Sequence, residues 1–449
     1  MQLLILQFVA PAPAGEAMPC FSHSLGVLAA QLAAEGISCS LSAMPGYRPD
    51  LLREALAAHS PSCVLIDINP YSVTAAHRTI GEIAKTGRPP VVVCGQYATC
   101  RPTQAISIPG VTALLLGEYD RSGMELMKAM RDGSDVASLP GVWAHTSAGL
   151  QRNDVAPLVE NLDSLPLPDR ELFNFSRIAR QTGEIGIKAA RACPQWCSFC
   201  VNDWYMDLYG GRGQFVRRRS VGNVLDELHS LAARYAAATS VRFYDHCFAA
   251  DRDWLAELAA GYSRRCALPY RCHVPINFVT PEVADLLAAS NCRWVSTAIA
   301  SGSRFIREEI FSLHAGDEQI VSAVHTLRRA RLHVTAEVFV GSPYESAITV
   351  EETINLLKRC EVDDVQASVF YPTPGTRAAE LCSENGWISG RGEENYWASR
   401  TVLDMPSMKA TTIDALAGKF PALAGKSGNV LGRFVDRLIH SRRKTVIQL

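Results

Sequence analysis

The chain has 449 residues, with 44 lysines and arginines against 45 aspartates and glutamates, and 48% of it is hydrophobic. That length exceeds one ordinary core and points to about two to four domains. A net charge of −1 gives no electrostatic reason to expect nucleic acid as a partner. No apolar run reaches the ~18 residues of a bilayer span, so no membrane partner is expected either. The apolar opening lacks a basic leader and reads as a buried first strand rather than a signal peptide. Of the 14 cysteines, all but one tight group are scattered in apolar contexts such as Cys63 and Cys94. They read as small buried hydrophobes in a reduced interior, which makes the cytoplasm the expected compartment.

Residues 3–9, 39–44, 64–69, 90–94 and 111–116 are apolar runs of strand length, and helical periodicity separates or follows them at 24–35, 51–58, 75–85 and 122–131. Strand and helix in alternation predict βαβ units, a parallel sheet and a doubly wound α/β domain over residues 1–150. Ligands of such sheets gather outside the carboxyl ends of the strands. Those ends carry Pro70, Tyr71, Ser72 and Val73 in one loop, Gly95, Gln96 and Tyr97 in a second, and Gly117 and Glu118 in a third. The same fold without a ligand is the alternative, because fold alone does not fix function. His59 and His77 fall in helical patterns and read as surface or cap residues. Residues 151–182, with Pro166 and Pro168, read as an extended linker.

Strand runs at 184–190, 240–244, 270–273, 294–299, 334–340 and 364–370 alternate with helical runs over residues 183–385. That makes about six βα repeats, fewer than a closed eightfold barrel, with reactive residues expected at the strands' carboxyl ends. The first of these strands delivers Cys193, Cys197 and Cys200 in the spacing C-x3-C-x2-C. Iron–sulfur clusters are held by cysteine thiolates, and a four-iron cubane held by three of them keeps one iron open. A zinc site would want a fourth Cys or His nearby, and a chance group of buried thiols would need no metal.

This cysteine spacing, with Phe199 before the last cysteine, resembles the cluster loop of the radical SAM superfamily, whose domain is an open (β/α)6 partial barrel. The resemblance implies a [4Fe–4S] cluster on Cys193, Cys197 and Cys200, with S-adenosylmethionine (SAM) chelated at the open iron. It also implies an electron donor such as a flavodoxin or ferredoxin. The three loops ahead of the cysteines, and the Leu-Asp-x-Leu-Pro-x-Pro phrase at 162–168, resemble the cobalamin-dependent subfamily. There the loops bind cobalamin. No Asp-x-His-x-x-Gly motif is present, so no histidine from that motif is expected on the cobalt.

Asp245 and His246 lie in a segment resembling the subfamily's Phe-x-Asp-Asp-x-Phe, which would set Asp245 on the methionine ammonium. Ser301, Gly302 and Ser303 lie in one resembling Gly-Ile-Glu-Ser-Gly-Ser. Segments 340–345 and 370–376 resemble two further subfamily motifs. Ala300 stands where a carboxylate is usual, and Pro275 and Asn277 where Arg and Asp are usual. These departures imply weakened SAM binding and less 5′-deoxyadenosine than methyl transfer. The implied activity is a C-methyltransferase that moves a methyl from SAM through cobalamin to a small-molecule or natural-product intermediate. A non-methylating cyclase or ring-rearranging relative, or a catalytically silent partner subunit, are the alternatives. His246 and His273 read either as satisfied strand-end histidines or as ligand-facing ones. Arg217, Arg218 and Arg219 read as a solvated face leading into the next helix, with an anionic ligand group as the alternative user. Residues 386–449, mostly helical over 413–438, read as a cap region without a motif.

Overall fold

The computed structural model describes residues 1–10, 20–392 and 394–424, apart from the side chains of Glu394 and Trp397. The part of the expected C-terminal helix beyond residue 424 lies outside the described residues. Two compact units form. One comprises Met1–Ser176 and Trp204–Phe215, and the other Arg177–Asp203 and the described residues from Val216 onward.

In the first unit, β1 (Gln2–Phe8), β2 (Ser38–Met44), β3 (Cys63–Asp67), β4 (Val91–Cys94) and β5 (Val111–Leu115) are parallel. The sheet runs β2-β1-β3-β4-β5 and continues into β6 (Val142–Thr146) and β7 (Gly149–Arg152). β3 and β4 are apolar runs covered on both faces, which is how a central parallel strand reads in sequence. β6 and β7 form an antiparallel hairpin on the β5 edge. The order reverses between β1 and β3, and this switch point opens a crevice at the carboxyl ends.

Two features here were not expected from sequence. The loop after β4 is a short helix, Gly95–Cys100. The chain also returns to this unit after the cysteine loop, because Tyr205, Leu208, Tyr209 and Phe215 pack into or onto its hydrophobic core. The proline-rich connector belongs here too, with the Asp169 N–H donating to the Gly26 carbonyl at 2.9 Å.

The second unit holds six parallel strands: β8 (Glu184–Ile187), then β11 (Ser240–Phe243), β12 (Tyr270–His273), β13 (Cys292–Ala300), β14 (His333–Val340) and β15 (Asp364–Val369), in spatial sequence. Two shorter strands, β9 (Ala190–Arg191) and β10 (Arg217–Arg218), pair antiparallel beside them. Burial alternates along the strands. Val334, Ala336, Val338 and Val340 are buried on the helix-packed face, while His333, Thr335, Glu337 and Phe339 are half-buried on the other. The helices start on matched caps: the Asp251 side chain accepts from Trp254 N–H, and Ser346 and Thr349 form a capping box.

The arginine run at 217–219 is not a solvated face. Arg217 and Arg219 are buried, at 3% and 5% exposure. Arg219 Nη1 binds Glu227 Oε2 at 2.6 Å and donates to the Lys188 carbonyl at 3.1 Å. Its own N–H donates to the Ala189 carbonyl at 2.8 Å. The sequence pattern read three charges as solvent-facing because nothing local shows that a buried glutamate lies eight positions on.

Removing one partner of a buried ion pair strands the other, at a cost of about 3–5 kcal/mol. Glu227→Gln is therefore expected to lower the thermal unfolding midpoint clearly. An unchanged midpoint would mean that water screens this pair.

Candidate active site

The cysteine loop begins at the carboxyl side of β8 and β9, and its backbone is held by the protein itself. Asn202 is the clamp. Its Oδ1 accepts from Cys193 N–H at 3.1 Å, and its Nδ2 donates to the carbonyls of Cys193 at 2.8 Å and Gln195 at 3.2 Å. The Cys200 N–H donates to the Cys197 carbonyl at 2.9 Å, and Ser198 ties the loop to Phe311 through its N–H at 3.2 Å. Phe199 stacks edge-on to Phe311 and Phe339 at 4.9 and 5.0 Å, so its ring joins an aromatic cluster with Phe370. Nothing in the sequence pointed to Asn202, because an asparagine two places after a cysteine carries no periodic signal.

The three thiols differ electrostatically. The neighbouring Cys247 thiol holds Cys193 below the usual thiol range against the opposition of burial, and the nearby His273 adds to the effect. Burial pushes Cys200 up to about 11 and raises Cys197 as well. Among the described residues, no three His, Cys, Asp or Glu side chains converge on the position of a single metal ion. Zinc would need its sulfurs about 2.3 Å from one centre. Three soft thiolates spread along a braced loop suit a cluster, whose irons occupy separate corners.

Other strand ends surround this loop. Asp245 follows β11 and is buried; its Oδ2 accepts from Ala189 N–H at 3.1 Å, while Oδ1 is buried without a hydrogen-bond partner. Burial raises its pKa. His246 is held neutral, mainly by burial and then by the charges of Lys188 and His273.

Ala300 closes β13 with φ +62°, a left-handed conformation that is costly for any residue with a Cβ. After it, Ser301 Oγ accepts from Ser303 N–H at 3.2 Å, and Gly302 N–H donates to Thr353 Oγ1 at 2.7 Å. A Cβ on Gly302 would lie 2.2 Å from Thr353 Cα. The Ser301–Gly302–Ser303 turn is thus engaged in packing against the helix Ala347–Cys360. At the end of β14, Glu345 accepts from Gly341 N–H at 2.5 Å, and burial pushes its carboxyl up to about 7. A cavity of about 590 Å³ lined by His325, Arg328, Arg331 and His333 opens at the amino ends of β14 and β15. Strand polarity puts it away from the cysteine loop.

In the first unit, the three expected loops follow β3, β4 and β5. Ser72 Oγ donates to the Asn69 carbonyl at 3.1 Å, while Asn69 Oδ1 and Ser122 Oγ are buried without partners. Gly95 has φ +94°, and a Cβ there would meet Asp67 Oδ1 at 2.1 Å. Burial pushes Asp67 up to about 6. Gly117 has φ +74°, and a Cβ would meet Tyr209 Oη at 2.1 Å. That hydroxyl also accepts from Glu118 N–H at 2.6 Å. The two glycines are therefore required by the unit's own close packing. Near the carboxyl ends of β3 and β5, Asn69 Oδ1 and Ser122 Oγ are polar atoms that the described residues leave unsatisfied.

Residues 187–357 match the family model described as the Radical SAM superfamily. An uncharacterised methyltransferase of Pyrococcus horikoshii is 25% identical over 346 residues, covering 76% of this chain and 74% of that protein. The structure of TsrM from Kitasatospora setae, a radical SAM methyltransferase with cobalamin and a [4Fe–4S] cluster bound, superposes with TM-score 0.67 at 20% identity. It covers 87% of this chain and 76% of TsrM. OxsB, a cobalamin-dependent SAM radical enzyme, gives TM-score 0.66 at 14% identity over 86% of this chain and 55% of its own. The cysteine motif and strands β11 to β14 of the second unit thus lie in the region that matches the Radical SAM superfamily model, and the chain shares its fold with TsrM and OxsB.

Proposed function

We propose that the protein is a cobalamin-dependent radical SAM enzyme that transfers a methyl group from SAM to a carbon of a small molecule. The observation that carries this reading is the braced three-cysteine loop at the carboxyl side of an open parallel barrel, inside the region that matches the superfamily. Support for methyl transfer comes from TsrM, whose structure holds its tryptophan substrate and a SAM analogue, and from the name of the Pyrococcus relative. When bound, the cluster would supply an electron to SAM and cobalamin would carry a methyl group.

In this reading Cys193, Cys197 and Cys200 hold the cluster as thiolates, and Asn202 keeps the loop's backbone polar groups satisfied so that the sulfurs stay in place. Asp245 Oδ1 is the open acceptor for the SAM ammonium, oriented because Oδ2 is fixed on Ala189. Pro70, Tyr71, Ser72, Val73, Gly95, Gln96, Tyr97, Gly117 and Glu118 form the cobalamin loops, joined by Asn69 and Ser122. Phe199, His246 and the Ser301–Ser303 turn shape the wall next to SAM, where neutral His246 offers a hydrogen bond and no charge. The reading includes an external one-electron donor of the flavodoxin or ferredoxin type and a cytoplasmic setting.

Reconstituted protein should contain about four irons and four sulfides, and a variant with all three cysteines changed to alanine almost none. Asn202→Ala should keep the thiolates yet lose iron faster on gel filtration. Zinc in place of iron after anaerobic purification contradicts the assignment.

The first unit should retain hydroxocobalamin through gel filtration at about one equivalent, seen in the visible spectrum, and Ser122→Leu should weaken retention by placing an apolar group at an open polar position. If the wild-type protein emerges colourless, the cobalamin assignment is wrong.

With reductant present, S-adenosylhomocysteine should exceed 5′-deoxyadenosine, since Ala300 offers SAM no carboxylate. A hydrogen bond to a charged group is worth about 1.5–3 kcal/mol, or some tenfold to a hundredfold in affinity. Ala300→Glu should shift SAM affinity or the product ratio. Ala300→Gly, which relaxes the φ of +62° without adding a carboxylate, should leave both unchanged. Tight SAM binding and fast cleavage in the wild type, unaltered by Ala300→Glu, would sink this idea.

A further inference from the structure

The inner face of the second unit's sheet carries charges that the cysteine loop does not use. β11 and β12 pair in register so that Arg242 stands opposite Arg271. Their neighbours Val241, Phe243, Tyr270 and Cys272 are buried on the opposite, helix-packed face. Paired positions on adjacent strands are about 5 Å apart, so the two guanidinium groups start from neighbouring places on one face. Burial and the charge of Arg242 both lower the pKa of Arg271.

Like charges so placed need compensation, and for Arg271 the protein supplies only part of it. Arg271 Nη2 contacts Glu184 Oε2 at 2.5 Å, but its Nε is buried with no acceptor. Arg242 lies over the Tyr244 ring at 4.8 Å. Two residues further along β12, His273 Nδ1 is 3.0 Å from Ser296 Oγ and 3.7 Å from Glu337 Oε2. Although burial pulls the other way, Glu337 raises the pKa of His273 and so adds positive character. Glu184 thus answers Arg271, and Glu337 answers His273. A buried guanidinium N–H without an acceptor is a rarity in native proteins and asks what fills it.

We propose that Arg242 and Arg271 form a binding site inside the barrel for an oxyanion of the substrate, a carboxylate, phosphate or phosphonate. Arg271 Nε is the open donor, and the guanidinium plane suits two oxygens at once. Arg271 precedes His273 on the strand, so the anion lies deeper than the carboxyl end where the cysteine loop begins. A substrate anchored there by its acidic group would direct its other end towards the cysteines. This assignment rests on reading the barrel as the reaction chamber of a radical SAM enzyme.

The test uses reconstituted full-length protein and two probes, benzoate and methylphosphonate, each against sodium chloride at matched ionic strength. At least one probe should raise the thermal unfolding midpoint saturably, as a ligand of the folded state does. Arg242→Gln and Arg271→Gln should abolish the rise, while Arg→Lys at either position should keep it with apparent affinity weakened about tenfold. No rise with either probe, an equal rise with chloride, or a rise that survives in the double Gln variant overturns the proposal. If the Gln variants do not fold, the Lys variants decide, and unaltered affinity in both overturns it. Iron content measured on the same samples keeps the two readings apart: wild-type protein that binds the anion but no cluster would refute the radical SAM reading and leave the anion site standing.

Discussion

The structure around the cysteines depends on how four residues, Lys188 to Arg191, are tied down. Asp245 takes the Ala189 N–H, Arg219 returns its own N–H to the Ala189 carbonyl, and its guanidinium holds the Lys188 carbonyl. β10 pairs with Ala190 and Arg191. Glu227, eight positions after Arg219, neutralises the guanidinium in a nearly dry setting. A loop that carries three cysteines in eight residues faces mutual repulsion whenever their thiols ionise, and a rigid entry limits how far it can give. Buried ion pairs add little to net stability against apolar packing, but they tolerate few alternative geometries. Here that intolerance serves to fix where the cysteines start.

The sequence foretold the alternation of strands and helices in both units because that information is local. Apolar runs such as Val91–Cys94 and periodic helices such as Asp120–Asp132 announce themselves through burial pattern. The C-x3-C-x2-C spacing was legible for the same reason, since all three cysteines lie in eight residues. What escaped was long-range. The return of Tyr205 and Tyr209 to the first unit's core, and the burial of Arg217 and Arg219, depend on partners far away in the chain or hidden by the fold. Gly117 shows the limit well. Its sequence context marked a ligand loop, yet the space beside it is taken by Tyr209, ninety-two positions on.

Charge on the inner strand face follows from the same topology. A parallel sheet curved into an open barrel buries one face against helices and leaves the other facing a lumen. Val334, Ala336 and Val338 satisfy the first requirement, which frees Thr335 and Glu337 for the second. The two residue sets are under different physical constraints: the outer one must fill volume, while the inner one must keep its polar groups paired or offer them to a ligand. The chain pairs His273 with Ser296 and Glu337 but leaves Arg271 Nε without a partner.

Three left-handed residues lie at the carboxyl end of the barrel without a helix terminus to account for them. Among residues with a Cβ, Ala192, Ala300 and Tyr344 take φ values of +66°, +62° and +62°. Each lies just after or at the carboxyl end of a strand: Ala192 after β9, Ala300 closing β13, Tyr344 in the turn beyond β14. Ser60 and Glu361, at +42° and +52°, are helix C-caps, and Asn291 and Arg331, at +68° and +62°, directly follow the C-caps Ser290 and Ala330, where the left-handed conformation is a routine way to end a helix. The three strand-end residues have no such excuse. Conformations of this kind cost about 1–3 kcal/mol and persist only where neighbouring structure over-determines them. Around Ala300 the determinants are visible: the Gly302 turn is locked by Thr353, and Arg307 donates to the Ser301 carbonyl at 2.9 Å. At Tyr344, Glu345 holds the turn and Trp387 packs edge-on against the ring at 4.8 Å. Helix packing on the outside therefore forces the turns inside into shapes their own residues disfavour. Packing outside the barrel thereby fixes strand-end geometry that local sequence alone would not choose, and β13 carries it into a register shift between Ala298 and Ala300.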